Sequence, residues 1–380
     1  MNTNLKNNTL KTLAKLLSKN RQKIIDINHQ DVKFCSNSNE AMLERLKLDD
    51  KKISNMITSI NNIIAQVDPE GKLISSHQHK NGLKIENKSV AFGTVLLIYE
   101  SRPDVTIEAA IVAFKAGNKI VLKGGKEAIN TNLFLVKLWQ KALSTNKQDI
   151  NCVSYLNTTR EKTQKLIKSS NSKFDLIIPR GGKKLIDFVL KNSSTPVLVS
   201  GRGNNFLYVD KESDFDMARK IILNGKQKLS ACNALDKVLI NKNLDKLNLK
   251  ITSLIESLNE KNITVYKDDL TMDKEFLSAK IVIRLVKGVD DAISIINKYS
   301  GKHSASIVTK NKNIAKKFLN EADCAAVYHN ASTRFTDGGE FGLGSEVAIS
   351  TQKLHARGPI GLNQLVTNKW FIYGNGQIRI

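Results

Sequence analysis

The chain has 380 residues, 41% of them hydrophobic and 25% charged, a composition that excludes a wholly disordered protein and a length that suggests two or three domains. No apolar run approaches the roughly 20 residues of a bilayer-spanning helix. The formal charge of +23 rests on 48 lysines and 11 arginines scattered along the chain, with aromatics at only 6% and no dense basic block. This pattern is read as a lysine-rich solvated surface with no nucleic-acid partner, whose field would help collect phosphorylated ligands.

The first residues, MNTNLKNNTLKTLAKLLSKNRQKI, contain neither a continuous apolar core nor a small-residue cleavage site, so a soluble cytoplasmic protein without membrane attachment is expected. Leu10, Leu13, Leu16, Leu17, Ile24 and Ile25 recur at helical spacing, and Met42 to Val67 repeats the pattern. Asp68-Pro69-Glu70-Gly71 breaks it, and the polar segment to Lys88 reads as a hairpin around Asn81-Gly82. SVAFGTVLLIY (89–99) is expected to be one apolar strand, followed by a helix from Thr106 to Ala116 that stops at Gly117-Asn118.

KIVLK (119–123), NCVSYL from Asn151 and FDLIIPRGG from Phe174 then alternate with helical patterns. Apolar strands lacking period-two polarity and separated by helices imply a parallel sheet covered on both faces, an α/β fold of nucleotide-binding type. The G-x-G-x-x-G fingerprint is absent. A second α/β unit follows TPVLVSGRGNNFLYVD, with strands near Ile263-Val265, Ile281-Leu285 and Ser306-Thr309. The last segment, KWFIYGNGQIRI, reads as a terminal hairpin.

Four cysteines, Cys35, Cys152, Cys232 and Cys324, lie far apart with no C-x-x-C pair, against both a zinc cage and a disulfide framework. Cys232 stands in a small polar loop, Ser230-Ala231-Cys232-Asn233, where a thiolate could meet substrate, although from the local sequence alone a packed thiol is the simpler reading. Arg180-Gly181-Gly182 opens a helix after a strand, a place where backbone N–H groups attract phosphate, although glycine there also serves backbone geometry alone. Lys123-Gly124-Gly125 has the same two readings. Asn330 to Gly361 concentrates glycine, hydroxyl, acid and arginine residues without period, the mark of a functional loop or of a crossing segment that simply packs.

Seven collinear strings, IYESRPDVT, KAGNKIVLKGGKEA, DLIIPRGG, ACNAL, GKHSASIVT, NASTRFTDGGEFGLGSE and ISTQKLHARGP, together resemble the γ-glutamyl phosphate reductase (glutamate-5-semialdehyde dehydrogenase) family of the aldehyde dehydrogenase superfamily, from about Leu43 to Ile380. The resemblance implies NADPH-dependent reduction of L-glutamyl 5-phosphate to L-glutamate 5-semialdehyde, with phosphate release, in proline biosynthesis. It makes Cys232 the nucleophile, forming a thioester that takes hydride from NADPH. It places Lys123 at the adenosine ribose and its 2′-phosphate, Arg180, Gly181 and Gly182 at the pyrophosphate, and Glu275 at the nicotinamide ribose. Arg102 and Arg334 are candidates for the substrate's phosphate or α-carboxylate, because a guanidinium binds either bidentately.

The implied architecture is an aldehyde dehydrogenase-like fold of two α/β domains with a small β flap. Residues 1–68 and 91–202 would bind NADP, 203–350 would form the catalytic domain, and 69–90 with 351–380 would form the flap and oligomerisation segment. A homodimer or higher homo-oligomer and a functional link to glutamate 5-kinase go with it. PVLVSGRGNN stands where hydrolytic relatives carry E-L-G-G and contains no acid, so no base would deliver water to the thioester. Arg202 and Tyr328-His329 depart from the usual family pattern. The alternative is the same chemistry on another acyl phosphate, such as an N-acylated glutamyl phosphate.

Overall fold

The computed structural model describes residues 2–35, 40–169, 173–267 and 271–379. Two compact units account for the chain: Met1–Val199 with Gly342–Ala348 and Ile360–Ile380, and Ser200–Phe341 with Ile349–Pro359.

The first unit opens with α1 (Thr3–Lys19), α2 (Arg21–Phe34), α3 (Glu40–Leu46) and α4 (Asp50–Ala65). The periodic stretch from Met42 is therefore two helices. Leu46 and Leu48 are both fully buried, and the Asp49 side chain accepts from Lys52 N, so the break is a buried corner with a capped restart. β1 (Leu73–Gln78) and β2 (Lys84–Ala91) form the expected antiparallel hairpin, with Gly82 at φ 94° in its turn. The run 89–99 is not a single strand. It divides at Phe92-Gly93 between β2 and β3 (Thr94–Tyr99), because Gly93 adopts φ 124° and a Cβ there would lie 2.2 Å from Asp175 Oδ2.

α5 (Val105–Lys115), β4 (Lys119–Lys123), α6 (Ile129–Thr145), β5 (Val153–Tyr155), α7 (Arg160–Lys168), β6 (Leu176–Arg180) and α8 (Lys183–Asn192) complete the first parallel sheet and its cover. Its strand order is β5-β4-β3-β6, so the chain moves outward one way from β3 and returns on the other side. That reversal leaves a crevice at the carboxyl ends of β3 and β6, where open α/β sheets bind ligands. α5 is buried on almost every face and its Phe114 packs edge-on against Trp139 of α6, with ring centroids 5.6 Å apart.

The second unit carries β7 (Asn205–Val209), α9 (Phe215–Gly225), β8 (Leu235–Asn241), α10 (Leu247–Asn259), β9 (Thr264–Tyr266), β10 (Lys280–Val286), α11 (Val289–Tyr299), β11 (Ser304–Val308), α12 (Lys312–Glu321) and β12 (Ala326–His329). These strands form one parallel sheet in the order β12-β11-β7-β8-β10-β9. Alternate residues of β7 feed opposite faces: Phe206 and Tyr208 pack with Ile296 and Phe318, while Leu207 and Val209 pack with Ile222 and Leu254. Burial of each such side chain contributes about 2 kcal/mol, which explains why β7 is apolar on both faces from Phe206 to Val209.

The segment 330–361 holds a 3-10 turn, Thr333–Phe335, and the paired strands β13 (Ala348–Ser350) and β14 (Gly358–Ile360). β15 (Val366–Tyr373) does not form the expected terminal hairpin. It pairs antiparallel with β2 along its whole length, from Val366 opposite Ala91 to Tyr373 opposite Lys84, giving the sheet β1-β2-β15. β2 thus takes up the ladder edge that a local hairpin would have used; Ile380 lies outside the described residues. Among the described residues no helix is long and apolar enough to cross a membrane.

Candidate active site

In the second unit two sequence-predicted residues, Cys232 and Glu275, lie at the amino edge of the sheet together with Gly203. Cys232 lies three residues before β8, Gly203 two before β7, and Glu275 five before β10. Cys232 is half-buried in a turn of irregular backbone after α9. The turn is held by Asn205, a fully buried residue whose Nδ2 donates to the carbonyls of Cys232 and Ala234 at 2.7 Å each and of Gly203 at 3.0 Å. One side-chain amide thus fixes the backbone from the thiol-bearing residue onward, the kind of pre-organisation that covalent catalysis requires.

The neighbouring Asn233 donates through Nδ2 to the carbonyls of Arg334 and Thr336, both at 3.0 Å, and its own carbonyl accepts from Thr333 Oγ1 at 3.0 Å. These bonds bring the Thr333–Phe335 turn, and with it half-buried Arg334, beside the cysteine turn.

Glu275 reaches the same place from the loop before β10: its Oε1 accepts from Gly203 N at 3.0 Å. Gly203 presses on Cys232, for a Cβ there would stand 1.9 Å from the Cys232 carbonyl oxygen. Burial pushes the Glu275 carboxyl up. The Gly203 N–H lowers it, and Asp236 raises it further. Asn205, Gly203 and Asn233 escape sequence reasoning. The only signal was a buried-strand pattern opened by two asparagines in GNNFLYV, where apolar residues would be the default.

In the first unit, Lys123 ends β4, facing Ile98 across the ladder, and Arg180 ends β6, facing Tyr99. Both therefore stand at the carboxyl edge beside β3. The Lys123 ammonium donates to the Gly124 carbonyl at 3.1 Å and pairs with no carboxylate among the described residues. Burial lowers its pKa, while Glu127 opposes. A half-buried cation with no acid of its own fits an anionic phosphate. Gly124 is packed closely, since a Cβ there would meet Asn132 Nδ2 at 2.3 Å.

Arg180 Nη1 donates to the Val347 carbonyl at 3.0 Å, and the Gly182 N–H that opens α8 donates to Glu100 Oε1 at 2.7 Å. A carboxylate of the chain itself thus sits on the helix N-terminus that sequence reasoning reserved for pyrophosphate. Arg102 lies 3.4 Å from Asp104 Oδ2. Burial alone would raise the Asp104 carboxyl, but Arg102, Lys52 and Arg180 hold it below the usual range. Desolvation, with Asp104 one helical turn away, pushes the half-buried Glu108 carboxyl up to about 7. Among the described residues no group of His, Cys, Asp and Glu could hold a metal ion.

Residues 1–263 match the aldehyde dehydrogenase family model. The chain is 41% identical to the gamma-glutamyl phosphate reductase of Dictyoglomus thermophilum, covering 100% of this chain and 95% of that protein. It is 43% identical to the gamma-glutamyl phosphate reductase of Clostridium beijerinckii, covering 99% and 95%. Its fold matches the crystal structure of gamma-glutamyl phosphate reductase from Thermotoga maritima with a TM-score of 0.92 and 39% identity, over 100% of this chain and 95% of the other. With a fold that matches the solved Thermotoga maritima structure and sequence similarity along the whole chain, the chain belongs to the γ-glutamyl phosphate reductase family of aldehyde dehydrogenase-like oxidoreductases.

Proposed function

We propose that the enzyme catalyses NADPH-dependent reduction of L-glutamyl 5-phosphate to L-glutamate 5-semialdehyde and phosphate, as a cytoplasmic step of proline biosynthesis. The observation that carries this reading is the Cys232 turn, clamped by Asn205 and Asn233 and touching the Gly203 backbone that Glu275 accepts from. An acyl phosphate is already activated. The Cys232 thiolate therefore attacks the carbonyl and displaces phosphate without a strong acid, leaving a thioester on its sulfur. NADPH, when bound, supplies the hydride that reduces this thioester.

The backbone N–H of Cys232 is the first donor to consider for the developing oxyanion. Collapse of the tetrahedral species returns the thiolate and frees the aldehyde. No acid occurs in PVLVSGRGNN, so water finds no base there and the thioester persists until it is reduced. Lys123 would meet the adenosine ribose and 2′-phosphate, Arg180, Gly181 and Gly182 the pyrophosphate, and Glu275 the nicotinamide ribose. Arg102 and Arg334 would hold the substrate's phosphate or α-carboxylate.

The same reading divides the chain into a cofactor domain (1–68 and 91–202), a catalytic domain (203–350) and a flap with its oligomerisation segment (69–90 and 351–380). It also implies a homo-oligomer and a kinase such as glutamate 5-kinase that supplies the acyl phosphate.

The test is turnover of glutamate semialdehyde with NADP and phosphate by wild type and Cys232→Ser. The serine variant is expected to lose at least about a thousandfold in kcat, because a hydroxyl near neutral pH is a far poorer nucleophile than a thiolate. Intact-mass spectrometry of the wild type with an acyl phosphate should show one acyl adduct, mapped to Cys232. Phosphate-independent turnover, or an unimpaired serine variant, would count against the mechanism. Faster turnover of N-acylated analogues would transfer the same chemistry to that substrate.

A further inference from the structure

The loop that carries Glu275 is fastened at three alternate residues, Lys274, Phe276 and Ser278, by one neighbouring stretch of chain, 226–237, which also contains Cys232. Lys237 Nζ, on a fully buried side chain of β8, donates to the Lys274 carbonyl at 2.8 Å. The same ammonium sits over the Phe276 ring, 3.8 Å from its centroid. Asp236 Oδ2 accepts from Phe276 N at 2.8 Å, and Asp236 Oδ1 accepts from Lys226 Nζ at 2.7 Å. Lys226 continues to the Ser278 carbonyl at 3.3 Å. Leu277 is held at φ 47°, a left-handed backbone that leucine adopts only where its surroundings impose it.

Two buried lysines and one buried aspartate are costly as mere filling: replacing such groups by apolar residues of similar volume is often neutral or stabilising. Here they hold the backbone on both sides of Glu275. We propose that Lys237 is a positioning residue for the dinucleotide: its bond to the Lys274 carbonyl and its seat on the Phe276 ring fix the Glu275 carboxylate in the pose that receives the nicotinamide ribose. This rests on the reading of Glu275 as the ribose ligand and adds the residue that aims it.

The clamp is sensitive to pH. Burial holds the Lys237 ammonium down to about 8, opposed by Asp236, with Lys226 lowering it further, Asp273 raising it and Arg202 lowering it. Deprotonation leaves the hydrogen bond to Lys274 available but removes the attraction of the cation for the ring.

The experiment is a fluorescence titration of the full-length enzyme with NADPH, at about pH 7 and about pH 9.5, on wild type, Lys237→Met, Lys237→Arg and Glu275→Gln. Wild type is expected to bind about fivefold more weakly at the higher pH, the size of a lost cation–π contact. Lys237→Arg, whose guanidinium keeps its charge, should lose this pH dependence. Lys237→Met should bind about tenfold more weakly at both pH values, while the KM for semialdehyde and the alkylation rate of Cys232 stay within about twofold.

Wild-type binding that is flat with pH, Lys237→Arg following the wild-type change, or Lys237→Met binding as wild type overturns the proposal. If Lys237→Met does not fold, the comparison of wild type with Lys237→Arg decides. Undiminished binding by Glu275→Gln removes the ribose reading and the clamp with it. Weakened binding by Glu275→Gln, with Lys237→Met unchanged, removes the clamp alone.

Discussion

Lys6 illustrates how a single residue secures the first unit. Its side chain is fully buried, yet its ammonium lies 2.7 Å from Glu70 Oε2 and 3.2 Å from Asp68 Oδ2 and donates to the Lys115 carbonyl at 3.0 Å. Lys115, also fully buried, places its ammonium 2.5 Å from Asp68 Oδ1. The knot ties α1, the turn before β1 and the end of α5. Removing one partner strands a buried charge, so Lys6→Met should cost about 3–5 kcal/mol in urea-unfolding free energy. Burial tends to raise the Asp68 carboxyl, but Lys115, Thr3 and Lys6 outweigh it and hold it below its ordinary value. A depressed carboxylate stabilises the fold above the ordinary aspartate range and loses that contribution as pH falls through its own lower pKa. Wild type should therefore lose stability steeply on acidification, and Asp68→Asn should be weaker near neutrality with a shallower acid slope.

Two elements decide whether the chemistry can run. The cysteine turn depends on Gly203, where any Cβ would overlap the Cys232 carbonyl oxygen, a backbone atom with no room to give. Gly203→Ala should push that turn away and lower kcat about a hundredfold, since displacement of a nucleophile by about 1 Å has that effect. Its KM values should change far less, measurable in the same steady-state assay. At the start of α8 the Glu100 carboxylate accepts from the Gly182 N–H through Oε1 and lies 3.8 Å from Arg45 Nη1 through Oε2, on a side chain that is 50% exposed. Glu100→Ala vacates the donor and removes a like charge, so NADPH should bind about two- to fivefold more tightly, the scale of a helix-terminus interaction. Weaker binding would place the pyrophosphate elsewhere.

At the scale of the whole molecule, a net charge of +23 is carried mainly by lysines on the solvated surface. Such a field draws in phosphorylated ligands over several ångströms and is screened as the Debye length shortens. Between about 0.05 M and about 0.5 M potassium chloride, kcat/KM for NADPH should fall several-fold while kcat changes little, because screening slows encounter and leaves the bonded contacts intact. A salt-independent kcat/KM would assign the lysine excess to composition alone.

Much of the fold is legible along the chain. Apolar strands alternating with helices specified two parallel α/β units, because a strand buried on both faces is largely apolar and parallel neighbours are joined by a covering helix. Seven strings in one order specified the family, and one of them, ACNAL, holds Cys232; the superfamily resemblance added Glu275 in KEFLSAKIVIRLV, and the fold brings both segments to one sheet edge. What the sequence left open depends on distant partners. The division of 89–99 at Gly93 is set by Asp175, and the pairing of β15 with β2 by a ladder across most of the chain. Asn205 as the clamp of the cysteine turn, Glu100 on the α8 terminus and Lys237 under Glu275 are likewise invisible along the chain. Periodicity reports which face of an element is apolar. It carries no information about which buried polar atom meets which, since that is settled only when separate strands are packed and each donor must find its acceptor.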